Sequence, residues 1–218
     1  MFTNTLETLI KLKRLTLILL LMYIVSIAGG IGTHYAGSTG IASFVEKQSQ
    51  DSLEAIESIF GRFREPVRNG HLGAIISCSL IVFAINILGN FSSFTLPGIF
   101  IVPVAVTLLF GGWIQGISLG GIQASSFTSL FLYLSMGSLE WITYVIATVA
   151  GVNIGLSVLM PKRQNTTSRW KAFKLAWRDA GRLYIIIFII LAFQAVFEIL
   201  YVRKVLQTGG TGVPLVPY

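Results

Sequence analysis

Long apolar runs separated by short polar stretches dominate the chain, on the length scale of a bilayer. From Leu72 to Met160 the only charged residue is Glu140. A hydrocarbon layer of about 30 Å takes about 20 apolar residues per helix. That yardstick predicts an all-α, polytopic membrane helix bundle with about five transmembrane helices. The expected spans are 15–32, 72–90, 99–121, 139–160 and 183–202. Pro103 falls near the start of the third, and Pro161 stops the fourth. Residues 90–98 read as a short Ser/Gly/Pro turn. The apolar piece 123–135 is too short to cross, which predicts a re-entrant or interfacial segment.

Two further segments carry a one-sided pattern. In 52–65, Leu53, Ile56, Ile59, Phe60 and Phe63 recur at helical spacing, with Glu54, Glu57, Arg62 and Arg64 off that stripe. This predicts an amphipathic helix on the membrane surface, ended or kinked by Pro66. In 166–182, Trp170, Phe173 and Trp177 repeat at i, i+3, i+7, while Lys171, Lys174, Arg178 and Arg182 take another face. This predicts a second interfacial helix, with rings in the headgroup layer and cations on anionic lipid. The same face suits a docking site for a soluble cytoplasmic partner. The tail, 207–218, has no periodic pattern and is expected to be extended or disordered.

Composition agrees with a bilayer as solvent. Hydrophobic residues make up 54% of the 218, charged residues 11%, and the mean hydropathy is +0.77. The length allows one membrane domain, 1–218. The single cysteine, Cys78, excludes an internal disulfide and a cysteine metal cluster; inside an apolar run it reads as a buried structural thiol. The net charge of +7 is not a nucleic-acid signal, because the basic residues flank spans. Seven of the sixteen lie between Lys162 and Arg182, against one acid, Asp179. Lys11, Lys13 and Arg14 precede the first apolar run, which is longer than a signal peptide's core and reads as a retained anchor.

Basic flanks mark the cytoplasmic side. With the N-terminus inside, five spans put both basic clusters inside, and leave 34–69 and the tail outside. A sixth span at 123–135 would split the clusters. The expected location is the cell membrane of a prokaryote, multi-pass, with the N-terminus cytoplasmic. His34 and His71 fall at outer ends of spans and read as interfacial.

Gly112, Gly116 and Gly120 recur every four residues, as do Gly151 and Gly155. Small residues at this spacing let backbones approach in lipid. They suit either packing inside the bundle or a homodimer seam. Glu140 and Glu198 lie within predicted spans, where an unpaired charge is costly. The fourth span runs inward with Glu140 near its start, and the fifth runs outward with Glu198 near its end. Both therefore fall at similar depth, toward the outer leaflet. They could share a proton, bind a cation, line a path, meet a partner, or accept hydrogen bonds that hold the bundle. Asn86 and Asn153 read as interhelical glue.

No Walker phosphate loop, His-Glu-x-x-His, Gly-x-Ser-x-Gly or cysteine-rich metal spacing occurs. No enzyme activity and no cofactor are expected. An intramembrane enzyme would need a second reactive group beside a Glu, and no clear candidate stands in the sequence.

The segment Met136-Gly-Ser-Leu-Glu-Trp-Ile-Thr-Tyr-Val-Ile-Ala-Thr-Val-Ala-Gly-Val-Asn-Ile-Gly resembles a hallmark of the stage II sporulation protein M family. That hallmark is a His-Gly-x-x-Glu entry into a span ending in Gly-x-x-x-Gly. Gly137, Glu140, Gly151 and Gly155 match it, and Met136 stands in place of the His. Phe110-Gly-Gly-Trp-Ile-Gln-Gly resembles the family's Asn-Gly-x-x-x-Gly through Gly112 and Gly116, with Gly111 in place of the Asn. Ala195-Val-Phe-Glu resembles a recurring Ala-x-Ile-Glu that puts Glu198 on the family's acidic position, without the Thr-Pro that follows there. The resemblance covers about 69–198. It implies a multispan membrane protein without a catalytic site, acting as a scaffold for other proteins. The expected function is a non-enzymatic membrane scaffold or complex subunit, with other membrane proteins or a second copy as partners. The alternative is the membrane subunit of a permease working with a separate ATPase, with the basic helix as the coupling element.

Overall fold

A backbone that crosses lipid must bond all its own N–H and C=O groups, and a continuous helix does this within one segment. The computed structural model describes residues 2–37, 40, 60–120 and 127–207. Within these the chain is all-α, with no strand among the described residues. The helices are α1 (Phe2–Tyr35), α2 (Arg64–Arg68), α3 (Leu72–Gly89), α4 (Leu96–Gly98), α5 (Val102–Gly120), α6 (Phe127–Leu159) and α7 (Arg169–Gln207). Four stretches are long and apolar enough to cross a membrane: Glu7–Tyr35, Leu72–Gly98, Gly137–Leu159 and Arg169–Arg203. The expected third span, α5, is shorter and starts at Val102 instead of residue 99.

Three elements differ from expectation. First, 90–98 is not a turn. A π-helical stretch, Asn90–Thr95, carries α3 into α4, so the helical path runs unbroken from Leu72 to Gly98. The chain turns three residues later, where Ile101 takes φ +60°, a strained value for a β-branched residue. Second, 127–135 is not a separate interfacial piece but the first turns of α6. Gly137 and Ser138 do not break it; the Ser138 hydroxyl donates back to the Ser135 carbonyl at 2.9 Å. Residues 121–126 lie outside the described set. Third, 166–182 is not a separate interfacial helix. From Arg169 it is continuous with the expected fifth span, with no proline between. Of the expected amphipathic segment 52–65, residues 52–59 lie outside the described set. Pro66 sits inside the first turn of α2, where its missing N–H costs nothing. The tail from 208 lies outside the described residues.

Residue contacts set the helix directions. Gly112 lies against Tyr23 and Ser26, Gly116 against Ile27 and Gly30, and Gly120 against His34. Both series ascend, so α5 runs parallel to α1. Phe83 meets Phe188 (centroids 5.3 Å apart) and Phe91 meets Tyr184 (6.2 Å), so α3 runs antiparallel to α7. At the far end Gly70, at φ +78°, lies against Arg203. Helix α6 is central: 72% of its spanning window is buried, against 22–33% for the other three. Ala147, Val149, Ala150 and Ile154 of α6 are fully enclosed with Leu183, Ile187 and Leu191 of α7.

The glycine stripes are used inside the chain. A Cβ on Gly116 would lie 2.9 Å from Gly30 Cα and would strike the Ile27 carbonyl. A Cβ on Gly98 would lie 2.7 Å from Gly151 Cα, and one on Gly155 would strike the Ile99 carbonyl. Of the two uses the spacing allowed, the structure fills the internal one at every stripe position.

Substituting Gly116→Val is expected to weaken the bundle by about 1–3 kcal/mol or more, the range for overpacking a tight contact. Gly111→Val, where a Cβ meets nothing within 4 Å, is the control. Thermal unfolding in mild detergent checks it; equal midpoints would show that the α1–α5 seam does not govern stability.

Candidate functional site: two polar clusters on α6

The first cluster surrounds Glu140. One turn on, Tyr144 donates its hydroxyl to Glu140 Oε1. Thr143 donates to the Glu140 carbonyl at 2.7 Å. From α7, Gln194 and Glu198 lie close enough to act on the carboxyl, Gln194 through its amide and Glu198 through its charge. From α1, Tyr23 also lies within range of its charge. The site is closed: Glu140 is 1% exposed, Tyr23 1%, Gln194 2% and Glu198 6%. Glu140 Oε2, Tyr23 Oη and Gln194 Oε1 have no partner at strict hydrogen-bond geometry among the described residues.

Why these residues meet follows from helical spacing. Glu140 and Tyr144 are four apart on α6, and Gln194 and Glu198 are four apart on α7, so each pair lies on one face. The antiparallel course of α6 and α7 brings the two faces to one level, as the depth argument from sequence required. Phe94 stacks on Tyr144 with centroids 4.6 Å apart and holds the ring toward the carboxyl. Beside it, Trp141 Nε1 donates to Gln115 Oε1 at 2.7 Å, which ties α6 to α5. Thr95 bonds the Ala147 carbonyl at 3.1 Å and the Tyr184 hydroxyl at 2.7 Å, joining the π-helical stretch to α6 and α7.

Asn86 and Asn153 are buried as expected, but their amide nitrogens do not bridge helices among the described residues. The backbone carbonyls of the two residues accept local bonds, from Asn90 Nδ2 at 2.9 Å and from the Ser157 hydroxyl at 2.6 Å. Thr95, Tyr184 and Gln115 do the bridging.

The second cluster lies at the basic end. Lys11 donates to Gln164 Oε1 at 2.6 Å and pairs with Asp179 Oδ2 at 2.8 Å. Gln164 Nε2 donates to the Ser157 hydroxyl at 3.2 Å. Arg182 reaches Asp179 Oδ1 at 3.7 Å. This joins α1, the end of α6, its connection to α7, and α7 itself. It also puts the two basic clusters at one end of the bundle, as the charge pattern required. Sequence reasoning counted Asp179 only as a lone acid among bases. Its helix-face position, three residues before Arg182, was the available signal.

On the outer face of α7, Trp170 stacks on Phe173 (5.5 Å), Phe173 meets Trp177 edge-on (6.1 Å), and Lys174 Nζ lies 5.2 Å from the Trp170 ring. Lys171, Lys174 and Arg178 are exposed, and Phe173 and Trp177 are half-buried against the core. His34 and His71 are exposed, and Cys78 is a buried free thiol. Among the described residues no three His, Cys, Asp or Glu side chains gather as a metal site would need. The Glu140 cluster can hold a carboxyl through Tyr and Gln donors.

In comparisons with known proteins, no family model, no curated protein and no solved structure matches this chain.

Tyr144→Phe removes the donor to Glu140 Oε1 and is expected to cost about 1–3 kcal/mol, because the acceptor stays buried. Glu140→Leu in the same background should recover part of that loss. Unfolding in detergent measures both, and additive losses would mean that the two side chains do not interact. Lys11→Ala leaves Asp179, 3% exposed, without its nearest cation, and should destabilise by about 1–3 kcal/mol. Lys11→Met with Asp179→Leu should regain most of it. If the single variant melts with the wild type, Arg182 alone suffices for Asp179.

Proposed function

We propose that this chain is a non-enzymatic integral membrane scaffold, or a subunit of a membrane protein complex, in a prokaryotic cell membrane. The observation that carries the proposal is the closure of α6. Its only charged residue, Glu140, is 1% exposed and is held by Tyr144 of the same helix beside Gln194 of α7. A carboxyl spent on holding helices together suits a bundle that keeps one shape and presents its ends to others. The resemblance of Gly137, Glu140, Gly151, Gly155 and Glu198 to positions of the stage II sporulation protein M family supports the same reading. By the positive-inside rule, the end carrying Lys11, Lys13, Arg14 and 162–182 faces the cytoplasm.

A second reading is the membrane subunit of a transporter driven by a separate ATPase. It is favoured by three buried polar atoms without strict partners at one level, Glu140 Oε2, Tyr23 Oη and Gln194 Oε1. A polar interior of that kind is where a permeant species would pass in another conformation.

Affinity purification of the tagged full chain in mild detergent, with mass spectrometry of what stays bound, tests both. Stoichiometric recovery of other membrane or envelope proteins is the expected result. Recovery with an ATPase moves the second reading ahead. Recovery of the chain by itself removes the scaffold reading.

A further inference from the structure

The basic segment of α7 belongs to a helix that does not stop at the membrane, and this decides what it can touch. Lys11 of α1 pairs with Asp179 of α7 at 2.8 Å. Further along, Tyr23 of α1 and Gln194 and Glu198 of α7 both approach Glu140, so α1 and α7 run parallel. In that register Thr8 is level with Ala176, and Thr5 falls within one residue of Ala172; all four are buried. The first turns of α1 and α7 therefore form a packed pair, with alanines at every fourth position on the inner face of α7.

Where the lipid ends can be read from the outer face. On α7 the exposed positions between Trp170 and Phe188 are Lys171, Lys174, Arg178 and Gly181. Exposed apolar side chains then begin, with Phe188, Phe193, Phe197 and Leu200. On α1 exposed apolar side chains begin at Ile10, beside Lys11, and continue at Leu17 and Ile18. The hydrocarbon edge thus falls between the level of Asp179 and that of Leu183. At 1.5 Å per residue, Trp170 stands about 13–20 Å beyond it. The headgroup layer is only about 5–7 Å deep on each side. A typical tilt of about 20° shortens that reach little. The outer half of the pair is therefore in water, past the headgroups.

The pair carries unbalanced charge. Lys13, Arg14, Arg169, Lys171, Lys174 and Arg178 are exposed, against one exposed acid, Glu7. Asp179 is buried and already taken by Lys11 and Arg182. Among these cations Trp170 is 64% exposed, stacked on Phe173, with Lys174 over its ring. An exposed aromatic ringed by cations is the composition of an interface anchor with counter-charges around it.

We propose that this two-helix stalk is the docking surface for an acidic segment of a water-phase protein at the basic end of the bundle. Trp170 is the apolar anchor, and Lys171, Lys174 and Arg178 are the counter-charges. The inference deepens the scaffold reading by giving the partner's chemistry and the face it uses.

The test uses the full chain in lipid nanodiscs. A spin label on Lys174→Cys, in a Cys78→Ala background, reports collision with an aqueous nickel complex or with oxygen dissolved in lipid. Nickel access is expected in phosphatidylcholine and in phosphatidylglycerol discs alike. Oxygen access in phosphatidylglycerol discs would show the stalk lying on anionic lipid and would overturn the proposal. The second readout is fluorescence anisotropy of a synthetic glutamate-rich peptide with leucines at helical spacing. Binding should weaken about tenfold or more in the triple variant Lys171→Glu, Lys174→Glu, Arg178→Glu, and on raising salt. Trp170→Ala, which leaves the charge intact, should also weaken it. Equal binding by wild type and triple variant overturns the proposal. The outcome separates from that of the scaffold reading. If the triple variant still retains the wild-type partners on purification, the scaffold stands and this surface does not. If the wild-type chain purifies by itself, the scaffold reading goes, and the nanodisc titration decides the surface on its own.

Discussion

Close backbone approach at glycine is the constraint on which the rest of the bundle depends. In lipid an apolar side chain gains little by leaving the acyl chains for another helix, so association rests on dense packing and polar bonds. Gly30 and Gly116 let α1 and α5 meet with no side chain between them, and Gly98 and Gly151 do the same for α4 and α6. The second contact fixes the sharp turn at 99–101 against α6, next to Gly155. That turn then sets where α5 begins. The first contact carries α5 along α1 and puts Gly112 against Tyr23. Tyr23 in turn lies within range of Glu140. The depth of the carboxyl cluster is therefore a consequence of two glycine contacts some distance from it.

The polar groups add orientation to a bundle that packing alone would leave free to slide. Helices α1, α6 and α7 are joined at two levels: by the Glu140 cluster, and by Lys11, Gln164, Ser157 and Asp179. On α6 these levels are Glu140 and Ser157, about 25 Å apart at 1.5 Å per residue. One polar contact between parallel rods permits rotation about it. Two at that separation fix register and rotation together. A half-satisfied buried network is costly, so any slip of one turn would strand a carboxyl at each level.

Much of this was legible in the sequence because it rests on spacing. The four-residue period of Gly112, Gly116 and Gly120, and of Gly151 and Gly155, pointed to helix contacts, although which helices met could not be read from it. The placement of Glu140 and Glu198 at one depth followed from topology alone. Helix boundaries were less legible, and for one reason. A polar or charged stretch next to an apolar run looks like an interface, whether the helix stops there or continues. Residues 169–182 and 90–98 are both of this kind: the first continues because nothing breaks it and α1 packs along it, the second because a π-helical stretch absorbs its Ser/Gly/Pro composition. The partners of Glu140 were hidden for another reason. Tyr144 was within sight at i+4, but Gln194 and Tyr23 come from helices distant in sequence, and no local pattern marks them.

The internal use of the glycines narrows how this bundle could meet anything else. Every stripe position faces another part of the same chain. The outer faces of α1, α3 and α7 are covered by large apolar side chains such as Leu21, Val25, Ile76, Leu80 and Phe193. Lipid tails are equal competitors for such faces, and they confer little specificity. Specific recognition needs polar groups that are exposed, fixed in place and not already paired. Within the described residues the carboxyls and amides of the spans are enclosed, with small hydroxyls such as Ser92 and Ser93 exposed along them, while the basic end carries cations and an exposed tryptophan on a helix held by α1. If the bundle is a scaffold, selectivity would reside at that end, and the membrane domain would serve to hold it at a set height above the bilayer.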